Sequence, residues 1–293
     1  MQRLLVSRTP SLKTSAGNIV RSCGVRSTSS RQATEYDNSA IAKSFGHLIK
    51  GLEGGKAGGL FQDLESNSFD TGLRRLGLDS VKDLRVLDAG CGEGRFSRRL
   101  CAAGAQVIGC DSSPAMVEAA RVHQQHDEHD VEYVLMDVSC EKAGLGHQVD
   151  LCLSIYVMQM AKELQQLQDM CNFLRRHAHR SLVFTVSGEY IPEPRQSKLM
   201  LKHLGFQSLR APGTTDRIHF VMQGSSTITN YQYSEETYLQ CLENAGYRQV
   251  GAYKLHGSEQ YRDYVMETGE NDEKELLERI SANPHIKCFW GKA

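Results

Sequence analysis

The sequence lacks any long hydrophobic run, and no stretch approaches the roughly 18 apolar residues that a membrane-spanning helix needs. It also lacks a charge excess, since its formal net charge is -1 at pH 7, so no bulk attraction to nucleic acid or to an anionic membrane is expected. No C-x-x-C pair occurs among the nine cysteines. Cysteines at strand-like positions such as Cys110 and Cys152 instead indicate buried thiols in a reducing compartment. We predict no membrane span and no metal site.

Acidic residues are absent from residues 1–34, which are rich in arginine, serine and threonine. This composition is typical of an organellar transit peptide, and Leu4 to Val6 is too short for the apolar core of a secretory signal. We therefore expect residues 1–34 to be a disordered transit peptide and the protein to be mitochondrial. The alternative is a disordered basic tail on a cytoplasmic protein. Residues 35–293 have the composition of one folded domain.

Apolar residues at helical intervals predict a first helix over residues 40–52. The glycine cluster from Gly54 to Gly59 is interpreted as a flexible connection, because no strand precedes it and no G-K-S/T follows it. Asp70 or Thr71 then begins a short helix that ends at Leu76, before Gly77.

The stretch from Arg85 to Ser97 carries the strongest functional signal. An aliphatic run with an acid, Asp88, leads into Gly90, Gly92 and Gly94, and helical spacing follows. Glycines let the backbone approach a ligand closely, and a helix start offers free amides to it. The G-x-G-x-G spacing differs from the G-x-G-x-x-G of dinucleotide-binding folds, which disfavours a nicotinamide-dependent oxidoreductase. This pattern resembles motif I of the class I S-adenosylmethionine-dependent methyltransferases.

Strands alternating with helices predict an α/β fold with a parallel sheet covered by helices on both faces. The predicted strands after the first cover residues 106–110, 131–135, 149–155, 181–186, 248–255 and 286–290. Between the third and fourth strands, Cys140 to His147 allows at most a short turn. The resemblance implies a Rossmann-like class I methyltransferase sheet of seven strands, whose last strand runs antiparallel between its neighbours.

The pattern loosens between residues 187 and 233. A helix at Ser197 to Leu204 and strand-like segments at 218–222 and 227–233 are expected there. An insertion of this length is interpreted as a substrate lid, with Glu189, Tyr190, His219, Tyr231 and Tyr233 facing a pocket. A helix capped by Ser234 and a last helix at Glu273 to Ile280 are predicted to follow.

The resemblance implies S-adenosylmethionine as cofactor. In that family, an acid at the end of the second strand binds the ribose, which corresponds to Asp111, and an acid after the third strand binds the adenine, which corresponds to Asp137. The positions implied to bind the cofactor are Asp88, Gly90, Cys91, Gly92, Gly94, Asp111, Ser112, Met116, Asp137, Val138, Ser154 and Ile155. Weaker resemblances cover Tyr36-Asp37 and residues 231–247.

No catalytic residue is assigned from the sequence, because transfer from an activated donor does not require a dedicated base. If the acceptor must lose a proton, His219, His256 or Glu189 is a candidate. The absence of N-P-P-Y/F after the fourth strand counts against amino-methyltransferases of DNA, RNA and protein glutamine. We expect O- or N-methylation of a small molecule. The alternatives are a methyltransferase-fold binding or assembly factor in an organelle, and a methyltransferase of organellar RNA or protein.

Overall fold

The computed structural model describes residues 56–125, 130–222 and 227–293. The predicted transit peptide (1–34), the Tyr36-Asp37 pair and the helix expected over 40–52 lie outside the described residues. All eight cysteines within the described ranges are free thiols, and six of them are buried.

Two sheets and eight α-helices make up the described part of the chain. The helices are α1 (Lys56–Leu76), α2 (Arg95–Ala102), α3 (Pro114–Gln124), α4 (Leu164–His177), α5 (Pro194–Leu204), α6 (Glu235–Asn244), α7 (Glu259–Thr268) and α8 (Asn271–Ala282). The strands of the large sheet are β1 (Arg85–Ala89), β2 (Gln106–Asp111), β3 (Glu132–Leu135), β4 (Leu151–Ile155), β5 (Arg180–Val186), β9 (Gln249–Lys254) and β10 (Ile286–Lys292). The small sheet contains β6 (Phe206–Arg210), β7 (Arg217–Met222) and β8 (Thr227–Tyr231).

The large sheet has the strand order β3-β2-β1-β4-β5-β10-β9. Strands β1 to β5 are mutually parallel, and β10 runs antiparallel to both β5 and β9, with Val186 opposite Ile286. The predicted seven-stranded sheet with an antiparallel last strand between its neighbours is confirmed. Because the five parallel strands end at one edge, the loops that follow them meet there.

Helices cover both faces of the large sheet, as predicted. Neighbouring residues of β1 show the division, because Val86 belongs to one buried apolar cluster and Leu87 to the other. The first cluster includes residues of α1, α2 and α3, and the second includes residues of α4 and α6. Between β3 and β4 there are turns and no helix, as expected for that short crossover.

Helix α1 corrects two predictions. Gly58 and Gly59 lie within this helix rather than in a flexible connection, and no separate short helix begins at Asp70 or Thr71. An apolar stripe that includes Leu60, Leu64 and Leu73 is buried against the large sheet. Its burial outweighs the cost of about 1 kcal/mol that each helical glycine carries.

Residues 187–233 form α5 and the small antiparallel sheet. Strand β6 was not predicted, because the sequence Phe-Gln-Ser-Leu-Arg has only two apolar residues and follows Gly205 as if it were part of a loop. Helix α7 was also missed, since only Val265 of its residues is buried. None of the helices in the described ranges is both long and apolar enough to cross a membrane.

Candidate functional site

The loop after β1 is held against the end of β2. The backbone amides of Gly90 and Cys91 both donate to the carbonyl oxygen of Cys110, at 2.7 and 2.9 Å. Gly90 has φ 84°, and a Cβ at this position would lie 2.2 Å from Cγ2 of Val157. Only glycine fits both the backbone angle and the available space, so the glycine at this position of the motif has a direct steric cause.

Asp111 joins this loop to the start of α3. Its Oδ2 accepts a hydrogen bond from the Gly92 amide and its Oδ1 accepts one from the Ser113 amide, both at 2.9 Å. Ser113 in turn caps α3 by accepting from the Met116 amide. The Asp111 carboxylate is therefore held in a fixed orientation at the carboxyl end of β2.

Asp88 is buried beneath the loop, with 1 % of its surface exposed. The Ser97 hydroxyl donates to its Oδ2 at 2.6 Å. Burial, and to a smaller degree the nearby Asp111, raises the pKa of Asp88 to about 6, although the Ser97 hydrogen bond opposes the shift. The site thus contains an acid whose ionised form is poorly compensated by the described residues, and which a cation would stabilise.

A cavity of about 750 Å³ opens at this edge of the sheet. One part, the loop end, is lined by the loops after β1, β2 and β3, including Asp88, Gly90, Asp111 and Asp137. Another part, the sheet end, is lined by residues of the small sheet and by residues at or just before the start of β10: Phe206, Ser208, Phe220, Ile228, Thr229, Asn230, Tyr231, His285 and Ile286. The volume is typical of a small-molecule site.

The structure brings most of the sequence-predicted binding residues together. The residues of that set that line the cavity are Asp88, Gly90, Cys91, Gly92, Asp111, Ser112, Met116, Asp137, Val138 and Ile155. Gly94 and Ser154 do not line it. A Cβ on Gly94 would meet the Tyr133 hydroxyl at 2.2 Å, so this glycine permits packing between α2 and β3, and Ser154 is 1 % exposed.

Asp137 and Val138 follow β3 at the loop end. Oδ1 of Asp137 accepts hydrogen bonds from both the amide and the hydroxyl of Ser139, at 2.9 and 2.7 Å. This is the local turn that a short polar side chain makes after a strand. It also fixes the direction in which the carboxylate faces the cavity.

Tyr156 lies just after β4 with φ 62°, a conformation that costs a non-glycine residue energy. Its amide donates to the Phe184 carbonyl at 2.8 Å, and its ring stacks on that of Phe61 with centroids 6.2 Å apart. This backbone turn places the Val157 side chain against Gly90. The strained conformation of Tyr156 therefore allows Val157 to pack against the glycine loop.

Helix α1 contributes residues that the sequence analysis missed. Phe61 lines the cavity, and Glu65 forms a bidentate ion pair with Arg95, with both N to O distances at 2.7 Å. Glu65 is fully buried and the Arg95 side chain is 15 % exposed. The glycines around residue 58 are typical of a loop, so the helix that carries Glu65 was not predicted. The sequence therefore offered no reason to expect this ion pair.

The three candidate bases lie away from the cavity lining. Glu189 accepts a hydrogen bond from Lys287 at 3.0 Å, and His256 lies 3.2 Å from the Thr71 hydroxyl. His219 is opposite Leu209 and Thr229 in the small sheet, and it does not line the cavity. Of the expected lid residues, Tyr231 lines the cavity, whereas Tyr190 and Tyr233 are not among its lining residues.

His285 lines the sheet end and was not singled out from the sequence. It is buried, and desolvation lowers the pKa of its imidazole to about 4. It precedes β10, and only the resemblance predicted that this strand lies beside β5. No group of three or more histidines, cysteines or acids that could hold a metal ion occurs among the described residues.

Comparisons with known proteins agree with this geometry. Residues 86–178 match a family model described as a methyltransferase domain. The chain is 35 % identical to a 23S rRNA (uracil-C5)-methyltransferase of Shewanella woodyi, over 43 % of this chain and 28 % of that protein. It is 29 % identical to a ubiquinone biosynthesis O-methyltransferase of Nitrobacter winogradskyi, over 38 % of this chain and 41 % of that protein. The chain thus spans less than half the length of either relative.

A solved structure extends the likeness to the fold. The magnesium protoporphyrin IX methyltransferase of Synechocystis, with bound S-adenosylhomocysteine, superposes with a TM-score of 0.52 at 19 % identity, over 88 % of this chain and 97 % of that one. At this identity the likeness concerns the fold alone. Together with the family match, it shows that the chain contains a methyltransferase domain, at residues 86–178, and has the class I fold of the S-adenosylmethionine-dependent methyltransferases.

Proposed function

We propose that the protein transfers a methyl group from S-adenosylmethionine to a small-molecule acceptor, at oxygen or nitrogen. The observation that carries this proposal is that the glycine loop and the small sheet line one and the same cavity. S-adenosylmethionine supplies a methyl group already activated on a sulfonium. The remaining tasks of the protein are to orient two ligands and to exclude water.

The residues at the loop end fit this cofactor. The Asp111 carboxylate, held by two backbone amides, is oriented to accept hydrogen bonds from a ribose diol. Asp88, whose pKa is raised to about 6, is suited to a cationic amino group, which would stabilise its ionised form. The positive φ of Gly90 and the packing of Val157 against it fix the loop backbone that lines the cavity.

The residues that line the sheet end support a small-molecule acceptor. Three strands of the small sheet and the start of β10 contribute to one lining, which is mostly apolar. The net charge of -1 provides no bulk attraction for RNA, although one matched relative is named for an rRNA uracil. A role as a binding or assembly factor without activity is not favoured, because the glycine loop and Asp111 are both intact.

Calorimetric titration with S-adenosylhomocysteine tests the cofactor site. We expect the unaltered protein to bind, and Asp111→Ala to weaken binding by at least about tenfold, because a charge-assisted pair of hydrogen bonds is lost. Asp79→Asn is the matched control, since Asp79 is exposed and outside the cavity. If the unaltered protein shows neither heat of binding nor a shifted melting temperature, the proposal is wrong.

Transfer of labelled methyl groups then identifies the acceptor class. The protein is incubated with labelled S-adenosylmethionine and, separately, with small-molecule, RNA and protein fractions of a cell extract. We expect label in the small-molecule fraction. Label only in RNA or protein would overturn the choice of acceptor while leaving the cofactor assignment intact.

We also propose that residues 1–34 direct the protein to mitochondria, since they are basic, hydroxyl-rich and free of acids. A fusion of these residues to a fluorescent reporter should accumulate in mitochondria. A reporter that stays in the cytosol would contradict the proposal.

A further inference from the structure

The two ends of the cavity differ in charge. Every Asp, Glu, Lys and Arg that lines the cavity belongs to residues 88–169, near or after the ends of β1 to β4 and in the first half of α4. The described lining residues from Val186 onward include no Asp, Glu, Lys or Arg. A charged group that contacts only these later residues would therefore have no counter-charge among them, which is costly where water is excluded.

The strand register places apolar and polar side chains on one face of the small sheet. Ser208, Phe220 and Ile228 lie opposite one another across three strands, and Asn230 lies two residues further along β8. Residues that are directly opposite, or two apart on a strand, share a face. Of the residues on this face that line the cavity, Phe206, Phe220 and Ile228 are apolar, and Ser208 and Asn230 add a hydroxyl and a carboxamide. Arg210, in register with Ile218 and Asn230, lies on the same face but does not line the cavity.

His285 lies at the edge of this face. Its ring is 5.9 Å from the Phe206 ring and 5.8 Å from the Tyr190 ring, centroid to centroid. The Ser187 amide donates to its backbone oxygen at 2.8 Å, which fixes its position beside β5. Its buried Nδ1 has no hydrogen-bond partner among the described residues. Buried polar atoms without partners are rare, because an unpaired one costs free energy. A ligand group that forms a hydrogen bond with this imidazole would remove that cost.

We infer that the acceptor is an uncharged molecule with a flat apolar body and a hydroxyl group, and that His285 binds that hydroxyl. The inference rests on the proposed function and names the substrate class of the same cavity. Because its pKa is lowered to about 4, the imidazole is neutral near pH 7 and offers one donor and one acceptor nitrogen. A neutral imidazole pairs well with a neutral hydroxyl but gives no compensation to a carboxylate or phosphate.

The test measures binding rather than turnover. Full-length protein saturated with S-adenosylhomocysteine is titrated with matched aromatic probes: phenol, naphthol and hydroxybiphenyl, their carboxylate counterparts, and the parent hydrocarbons. We expect at least one hydroxyl probe to raise the melting temperature and to bind about tenfold more tightly than its carboxylate. If no hydroxyl probe binds, or if the carboxylates bind as tightly, the inference is wrong.

Variants of His285 then locate the hydrogen bond. His285→Phe keeps the ring volume but removes both nitrogens, and should weaken the hydroxyl probe about fivefold to tenfold while leaving the hydrocarbon unaffected. His285→Gln should recover part of that loss. His219→Gln, on the opposite face of the same sheet from Phe220 and outside the cavity lining, is the control and should change neither. Equal losses for hydroxyl and hydrocarbon probes would contradict the hydrogen bond, whereas failure to bind S-adenosylhomocysteine would instead contradict the proposed function.

Discussion

The loop end and the sheet end of the cavity are built by different means. At the loop end, backbone amides and carboxylates define the surface: Gly90 has a positive φ, and Asp111 binds the amides of Gly92 and Ser113. At the sheet end, side chains on one face of three antiparallel strands define it. A surface made of backbone tolerates few residue types, whereas a surface made of side chains can change with each substitution. The first suits a constant ligand and the second a variable one.

The largest effect should come from Gly90→Ala. The new Cβ would lie 2.2 Å from Cγ2 of Val157 at φ 84°, so both the clash and the backbone angle oppose it. We expect a loss of about 3–4 kcal/mol in the free energy of unfolding, measured by urea denaturation.

Gly92→Ala separates the two causes of that loss. Gly92 also has a positive φ of 56°, but nothing lies within 4 Å of a Cβ there, so only the conformational cost of about 1–2 kcal/mol applies. Adding Val157→Ala to Gly90→Ala should recover part of the difference. Equal losses for the two single variants would show that packing against Val157 does not shape the loop.

The next largest effect should come from Glu65→Gln. This change leaves Arg95 partly buried without its bidentate partner, and we expect a loss of about 3 kcal/mol in unfolding free energy. The double variant Glu65→Met with Arg95→Met should recover much of the stability, because it removes both charges. Glu193→Gln, which breaks an exposed pair with Arg279, is the control and should cost much less. A cost for Glu65→Gln no larger than that of the control would contradict the importance of the buried pair.

Asp88→Asn should stabilise the ligand-free protein, in contrast to the glycine and Glu65 substitutions. Its folded pKa of about 6 lies above the usual aspartate pKa of 3.8, so the ionised carboxylate destabilises the fold. The gain should be absent below about pH 4, grow as the pH rises through 6, and reach on the order of 2 kcal/mol above it. Melting temperatures of both proteins between pH 4 and pH 8 measure this difference. A gain that does not depend on pH would mean that Asp88 is not the titrating group.

The loop end, which is built from backbone, was easier to predict from the sequence than the sheet end, which is built from side chains. The loop end was predictable because steric exclusion at Gly90 and the strand-end position of Asp111 impose residue types at fixed spacing. Gly94 shows the limit of such reasoning, because its lack of a side chain serves packing against Tyr133 rather than the cavity lining. Strands β1, β4 and β5 were predictable because they are buried, mostly apolar runs, whereas the seven-stranded topology with its antiparallel last strand came from the family resemblance.

The sheet end could not be predicted in the same way. Strand β6 has weak apolar alternation, and His285 reaches the cavity only because β10 inserts beside β5. The candidates chosen instead, His219, His256 and Glu189, were selected by their place in the chain. Which face of a strand a side chain occupies depends on register, and register between β6, β7 and β8 is set by long-range packing.

The smallest expected effect tests where one region ends and the other begins. Asn230→Leu changes a buried polar residue of β8 at the sheet end, in a different sheet from Asp111. If the cofactor is confined to the loop end, the affinity for S-adenosylhomocysteine should stay within about twofold, which is about 0.4 kcal/mol. Titration calorimetry with the unaltered protein as reference measures this directly. A tenfold loss would mean that the cofactor extends beneath the small sheet. It would then leave less of the 750 Å³ cavity for the acceptor. Side chains of the small sheet, and not only the backbone of the loops, would contribute to cofactor binding.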